Sequence, residues 1–369
     1  MSIDYSTYVP EFEIYLNGVK ADVLRKSAIS ISLTEDLGKA STFTITINDE
    51  FNIDKKRFIW FDNPSLQSGN KIAIKMGYVD KLVKLLANGI IESTSTTGFT
   101  QTSNPTMTIS GYDISKNILN EKPNSKDKTT NRKLKGSDII DIIESKYNSS
   151  SKDSSKLKRI EDKTKEFPTR VTKNSQNTYG DILSEQAKKI GWTYFITRNK
   201  INYVNSRKKM NPTKSFEWGK NLIEFVPQIN TTDISPGFIV RSSSPTSNKS
   251  IMAEAKTGSE DVWDDKGIKS SELAKKMKKQ IKDEQKTISD KKECEIIAKA
   301  NLNNLSDNLL TGTGKVVGTT DLEIGQMVKL ERLGRFSGNY FITNVKNSIS
   351  SVGYLTTFSV RTNVIQEVK

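Results

Sequence analysis

The amino-acid sequence predicts a mainly β protein with an α+β middle: two similar antiparallel β-barrel domains, a small α+β domain between them, and a helical insertion in the second barrel. Three observations predict it. Short segments with alternating apolar and polar residues fill both ends of the chain, the period-two signature of half-buried strands. Over residues 114–205 the apolar spacing becomes helical and then gives one hairpin. From Phe216 the alternation returns, broken by a helical stretch over residues 270–310. The 369 residues suffice for two or three domains with real cores. The predicted boundaries are 1–120, 121–212 and 213–369, the insertion lying at about 255–310.

In the first barrel, "ISISL" places Ile29, Ile31 and Leu33 on one face, and "FTITIND" does the same with Phe43, Ile45 and Ile47. The acidic, Gly-containing "TEDLGKAST" between them reads as a hairpin connection. "KIAIKMGY" alternates through Ile72, Ile74 and Met76, while "NGIIESTSTTGF" and "PTMTISGYD" add strands rich in Thr and Ile. Such alternation predicts antiparallel sheet with one covered face.

In the middle, "GSDIIDIIESKYN" reads as a short helix capped by Ser137, with Asp138 in its first turn. The Ser/Lys-rich "SSSKDSSKLKRIEDKTKEFPTR" reads as a polar, mobile excursion. A clearer helix carries Ile182, Leu183, Ala187 and Ile190 and stops at Gly191, a suitable C-cap. Residues 192–197 and 200–205 then form a hairpin around Arg198 and Asn199.

The second barrel starts with "SFEWGKNLIEFVPQIN" and "GFIVRSS". In the insertion, Leu273, Met277 and Ile281 make one helical stripe that Ile288, Ile297 and Leu305 continue, opposite a face dense in Lys. Strands resume with "GKVVGT", "QMVKLER" and the hairpin "GNYFITNVKNSISSVGYLTTFSVR". In its second strand Tyr354, Thr356, Phe358 and Val360 point one way, and Leu355, Thr357, Ser359 and Arg361 the other.

Composition excludes much chemistry. The chain has no histidine, so no Ser/His/Asp or Cys/His triad can form and the commonest metal ligand is missing. One cysteine, Cys294, permits no intrachain disulfide and no Cys-based zinc site; its helical surroundings make it a small buried or half-buried residue. "GTGK" at residues 312–315 lacks the upstream glycine of a phosphate loop and leads into a strand. "EDVWDDKG" carries Asp261, Asp264 and Asp265 but lacks the alternating ligands and closing Glu of a calcium loop, so it reads as a solvated loop. Glu35 and Asp36, adjacent, point to opposite faces of a regular strand and cannot share a sugar-binding cleft; they read as turn acids. No catalytic, cofactor-binding or metal-ligating residue is predicted.

Lys and Arg total 57 against 43 Asp and Glu; a net charge of +14 is compatible with a polyanion partner, and equally with a solvated surface, since the lysines are spread along the chain and mixed with acids. The basic clusters "NSRKKMNPTK" and "AKKMKKQIKDEQK" contain no aromatic residue for base stacking, and the second reads as the wet face of an amphipathic helix. The N-terminal "MSIDYSTYVP" lacks a basic region followed by an apolar run, and no apolar run approaches the roughly 20 residues of a membrane span. Synthesis in the cytoplasm without a signal peptide is expected.

The stretch "TTDLEIGQMVKLERLGRFSGNYFITNVKNSISSVGYLTTFSVRTN" resembles the ending of the late control protein D family of tailed bacteriophages. These are baseplate hub proteins of contractile tails, related to the hub part of type VI secretion spike proteins. Gly325, Val328, Leu330, Gly338, Tyr340, Val345, Gly353, Tyr354, Thr356, Phe358 and Arg361 fall on the family pattern. "SGYDISKNIL", with Gly111, Tyr112 and Asp113, resembles the end of the family's first barrel. "YGDILSEQAKKIGWTYFITRNKINY", with Gly191 and Trp192, resembles its middle domain, and "FEWGKNLIEFVPQIN", with Gly219, its re-entry into the second barrel. The chain departs from the family at Asn347, where the family often has His.

The resemblance implies a non-enzymatic homotrimer. Three chains with two similar β domains each would give a ring of six quasi-equivalent barrels, matching a six-fold tail tube on one side and a three-fold spike on the other. Closed rings leave no free strand edges. The implied partners are the tail tube protein, a separate central spike protein and other baseplate proteins, with no membrane insertion and no specific nucleic-acid binding. The implied location is a phage or phage-tail-like particle, bacteriocins included. Two other readings stand beside it, a cell-wall hydrolase carried on the tail tip and a basic nucleic-acid-binding protein.

Overall fold

The computed structural model describes residues 9–98, 105–123, 132–149, 156–162, 169–171, 176–208, 210–243, 250–288 and 290–367. Its framework is one 13-stranded sheet drawn from both ends of the chain. Numbered in chain order, the strands of this sheet are β1 (Pro10–Leu16), β2 (Val19–Lys20), β3 (Ala28–Asp36), β4 (Thr42–Asn48), β5 (Lys71–Tyr78), β6 (Lys81–Thr96), β7 (Thr106–Asp113), β8 (Lys214–Glu217), β9 (Glu224–Ile229), β10 (Leu310–Val317), β11 (Met327–Glu331), β12 (Gly338–Ser350) and β13 (Gly353–Thr362). Their order is β9-β10-β13-β12-β3-β4-β7-β6-β5-β1-β2, with β8 and β11 branching from β12.

The seam between the two ends is the antiparallel pair β3–β12, which runs from Asp36 opposite Asn344 to Ile31 opposite Ile349. Each seam strand pairs on its other side with its own hairpin partner, β4 or β13. The sheet therefore reads the same way outward from the seam in both directions. A register shift between Ile342 and Asn344 marks the fork. Before it β12 pairs with β11, and after it with β3. An inserted residue bends a strand and increases its twist, which lets one long strand serve two neighbours. The expected pair of barrels is thus seen as one open sheet, and no closed barrel forms among the described residues.

Alternation builds the core as expected. Ile31, Leu33, Phe43, Ile45, Ile47, Ile72, Ile74 and Met76 are all buried in one cluster, which Ile349 and Tyr354 join across the seam. Ile29 is a correction: it is 40% exposed, because the register shifts between Ala28 and Ser30 and turns it off the apolar face. A second cluster holds Phe216, Val328, Leu330, Tyr340, Ile342, Val345, Phe358 and Val360. Pro227 sits in β9 at the sheet's edge, where its missing N–H costs no ladder bond.

The middle residues pack separately. Helices α1 (Asp22–Ser27) and α2 (Ser115–Leu119) are short adjuncts of the sheet, whereas α3 (Gly136–Ser149) and α4 (Tyr179–Lys189) bury Ile139, Ile140, Ile143, Tyr147, Tyr179 and Leu183 against each other. Ser137 lies inside α3 and is no N-cap; Asp138 instead accepts from the Lys135 amide at 2.8 Å. Thr178 and Asp181 form a reciprocal capping box on α4. The helix ends as expected, with Gly191 at φ +73° and the Trp192 amide donating to Ala187 O at 2.7 Å. The hairpin of Thr193–Thr197 and Lys200–Val204 turns through Arg198 and Asn199, both at positive φ. Of the polar excursion, Lys158–Glu161 is a strand parallel to Lys200–Val204. Much of the rest of that stretch lies outside the described residues.

The helical insertion is also corrected. Residues 270–310 hold two helices, α5 (Ser270–Lys276) and α6 (Lys291–Ser306), separated by a strand, Lys282–Lys286, parallel to Phe238–Ser243. Lys278 at φ +54° ends α5, and the Lys279 amide donates back to Ala274 O. The stripe fails with the helix: Met277 and Ile281 are 47% and 46% exposed. Cys294 is fully buried on α6, as expected.

Candidate interaction surface and buried junctions

Opposite the apolar core, the sheet has a second face of unusual uniformity. Strand register aligns Val317, Leu355, Ser348, Ser32, Thr44, Ser110 and Ser93 in one row across seven strands. The next row is Lys315, Thr357, Lys346, Thr34, Thr42, Tyr112 and Ile90. None of these side chains is buried. Most of these residues are β-branched or carry hydroxyls, which suit a pleated surface, and the two lysines are the charges in the two rows. This face crosses the seam without a break.

The residues expected as family motif positions fall into three groups. Gly111, Tyr112 and Asp113 end β7. A Cβ at Gly111 would lie 2.0 Å from Ile90 O and 2.7 Å from the Phe43 ring, so only glycine fits there. Tyr112 carries the Lys116 ammonium 4.0 Å above its ring. Asp113 is buried; its Oδ1 accepts from the Ser115 amide at 2.9 Å and its Oδ2 from Tyr147 at 3.1 Å, tying β7 to α2 and α3. Burial raises its carboxyl above the usual range, against those hydrogen bonds.

Tyr340, Tyr354 and Phe358 are core. Tyr340 donates to Phe336 O at 2.6 Å, and Phe358 stacks on Phe216 with centroids 5.6 Å apart. Gly338 opens β12 beside Asp264, Gly353 opens β13, and Gly219 sits in the turn between β8 and β9. Asn347, the departure from the family, is fully buried, and its Oδ1 accepts from Tyr354 at 2.9 Å and from Thr356 at 2.8 Å.

Gly325 has both requirements at once. Its φ is +83°, and a Cβ would lie 2.0 Å from the Phe195 ring. Gly325→Val should therefore cost about 2–5 kcal/mol, combining a left-handed non-glycine with overpacking. Urea unfolding of the purified variant checks this; a loss below about 1 kcal/mol would show that Phe195 moves aside freely.

Two buried junctions were not read from the sequence. At the first, Glu35 is no turn acid. It lies within β3, fully buried, while Asp36 faces the other way. Its Oε1 accepts from Thr197 at 2.6 Å and its Oε2 has no partner. Burial pushes its carboxyl up to about 7; Arg198 and Thr197 oppose this, and Glu323 and Asp113 add to it. Arg198, at the hairpin tip, donates to Glu323 at 2.8 Å and to the carbonyls of Thr320 and Leu322 at 2.6 and 3.0 Å. One turn thus grips both ends of the chain.

At the second, Asp307 at the C-terminus of α6 holds two arginines. Arg207 Nε and Nη2 donate to its Oδ1 at 3.0 and 2.6 Å, and Arg361 Nη1 lies 3.2 Å from its Oδ2. Arg207 also donates to Gly191 O at 2.7 Å and to Asn304 at 3.2 Å. Trp263 stacks on Phe341 with centroids 5.6 Å apart, and both guanidinium groups lie within 6 Å of its ring. Arg207 of the basic cluster "NSRKKMNPTK" is therefore buried. The loop "EDVWDDKG" is likewise no solvated loop. Trp263 and Glu260 are buried, and Glu260 accepts from the Ser271 amide and hydroxyl at 2.8 and 2.7 Å. Asp261 pairs with Lys299 at 2.7 Å, and Asp264 accepts from the Asn339 amide at 2.9 Å.

Residues 312–315, the "GTGK", lie within β10. Among the described residues no group of three or more His, Cys, Asp or Glu is placed to hold a metal ion, and no helix is long and apolar enough to cross a membrane.

A β-rich chain with this sheet has the fold of phage tail proteins. The 43 kDa tail protein of prophage MuSo2 from Shewanella oneidensis superposes with a TM-score of 0.70 at 13% identity, over 95% of this chain and 98% of that one. The tail protein from Neisseria meningitidis MC58 gives 0.67 at 13% identity, over 96% and 97%. The E. coli c3393 protein, a type VI secretion component similar in structure to the bacteriophage T4 tail proteins gp27 and gp5, gives 0.54 at 9% identity, over 94% and 76%. The expected resemblance to the hub-type family is thus met at the level of fold. The chain belongs to the Alg8 N-terminal domain family, whose model matches residues 6–351. No curated protein matches it by sequence.

Proposed function

We propose that this chain is a structural, non-enzymatic baseplate hub of a contractile phage tail or phage-tail-like particle. In this role it joins the six-fold tail tube to a trimeric central spike and templates tube assembly. The observation that carries the reading is the β3–β12 seam, with a hairpin on either side of it and a face rich in Ser and Thr running across both. Two like units per chain become six around a three-fold axis, which is the symmetry step a hub must bridge. On this reading residues 1–120 and 213–369 supply the two barrel units and 121–212 the domain between them. Gly111, Gly191, Trp192, Gly325, Tyr340, Tyr354 and Phe358 are the packing points that hold them. The whole-length likeness to tail proteins supports a structural role.

Native mass spectrometry of the purified chain, alone and with the tube and spike proteins of the same particle, tests the proposal. The expected result is a trimer that captures both. A strict monomer at high concentration that binds neither would overturn it.

A further inference from the structure

Arg361 closes the outward-facing row of β13, and its hydrogen-bonding capacity is mostly unspent. A guanidinium carries five N–H donors. One of them meets Asp307, which Arg207 already engages twice. The Arg361 Nε is shielded from solvent and has no partner. Two arginines share one carboxylate, so the cluster carries an uncompensated positive charge. Burial pulls the Arg361 guanidinium below its usual value, as does Arg207, while Asp307 opposes this. The side chain keeps 18% of its surface exposed, so an acceptor from outside the chain reaches the part of the guanidinium that Asp307 leaves free and not the shielded Nε.

The surroundings fit that acceptor. Arg361 lines a cavity of about 500 Å³ between β9, β10, β12 and β13. Gln228, Asn308, Thr311, Thr343 and Ser359 supply amide and hydroxyl groups around it, and no carboxylate is among the lining residues. Arg207 differs, its guanidinium being taken up by Asp307, Gly191 O and Asn304; Arg198 also has an unpartnered Nε, but its two Nη atoms are taken up by Glu323 and by the carbonyls of Thr320 and Leu322.

We propose that this cavity is an oxyanion-binding site in which Arg361 is the charged anchor and the surrounding Thr, Ser, Asn and Gln side chains complete the shell. The ligand is a carboxylate or phosphate group, met by the guanidinium edge that Asp307 leaves open. It arrives either as a free small anion or as an acidic side chain of another protein chain, and the same chemistry serves both.

Isothermal titration of the full chain with inorganic phosphate and with succinate, against sodium chloride of equal ionic strength, tests this. One saturable site per chain is expected. Arg361→Gln should weaken it by about tenfold or more, the loss of a charge-assisted bond. Thr311→Val, at the rim, should weaken it several-fold with an unchanged melting temperature, which keeps the test decisive if Arg361→Gln folds poorly. A site that binds anion in the monomer and loses it on self-association assigns the native acceptor to a neighbouring copy; retention in the assembly assigns it to a free anion. Failure to saturate with either anion up to a Kd of about 10 mM, or equal binding by wild type and Thr311→Val, would overturn the site.

Discussion

Glu35→Gln is expected to stabilise the protein by about 3 kcal/mol at pH 8 and to leave it unchanged near pH 4. The sign follows from the direction of the shift. Burial raises the Glu35 carboxyl from 4.5 to about 7, so the folded chain holds a proton that the unfolded chain has released. Stability contributed by this group is fully present below about pH 4.5 and is lost as pH rises through 7. Above that pH the folded chain carries a buried carboxylate whose Oε2 has no partner. Glutamine mimics the neutral acid and keeps an acceptor for Thr197. Asp113, whose carboxyl is also raised and which adds to the Glu35 shift, contributes a slope of its own to both proteins. Urea unfolding of both chains between pH 4 and 8.5 measures the effect. Parallel stability curves would show that Glu35 is hydrated and ionised throughout.

The position of Glu35 explains why a strand needs such a residue. Thr197 and Arg198 belong to one hairpin tip, Glu35 to the N-terminal half of the sheet and Glu323 to the C-terminal half. A neutral hydrogen bond and an ion pair hold that tip from two sides. Below neutrality the first is made by a neutral carboxyl, and above it that carboxyl becomes a charge in an apolar setting. Any loosening of the two halves with pH should begin at this turn.

What was legible in the sequence was whatever a local period encodes. The alternation of Phe43, Ile45 and Ile47, or of Tyr354, Thr356, Phe358 and Val360, specifies which side of a strand is buried, and the structure buries those sides. Gly191 and the Arg198–Asn199 turn were legible because left-handed backbone needs particular residues. The joining of two sets of strands into one sheet was not, because the β3–β12 pair links residues some three hundred positions apart and alternation does not name a partner strand. The Lys-rich stretch misled for a related reason. A stripe at helical spacing was present, but Lys278 breaks it and the following polar residues found a strand edge to pair with. Buried charge was the least legible of all. Glu35, Glu260 and Arg207 look like surface residues in isolation, and their partners come from distant segments.

Asp307→Ala should destabilise the protein by about 3–5 kcal/mol, the largest loss expected from a single polar residue here. An aspartate at a helix C-terminus is opposed by the helix dipole, so its own position in α6 disfavours it. The two arginines offset that. Removing the carboxylate leaves Arg207, with only 1% of its side chain exposed, bonded to neutral oxygens alone, and leaves Arg361 with no acceptor at all. The cost lies in the stranded charges more than in the lost attraction, and this gives a second expectation. Adding Arg207→Met to the Asp307→Ala chain should recover a large part of the loss, because a buried ion pair replaced by apolar groups is often close to neutral. Trp263, whose ring centroid lies 5.7 Å from the Arg207 guanidinium, already supplies an apolar wall for the methionine. Guanidinium unfolding of the single and double variants decides between the two origins. If the double variant is less stable than Asp307→Ala by the full cost of losing Arg207's bonds to Gly191 and Asn304, then Arg207 acts as a hydrogen-bonding clamp between α4 and α6 and the charge itself is of little consequence.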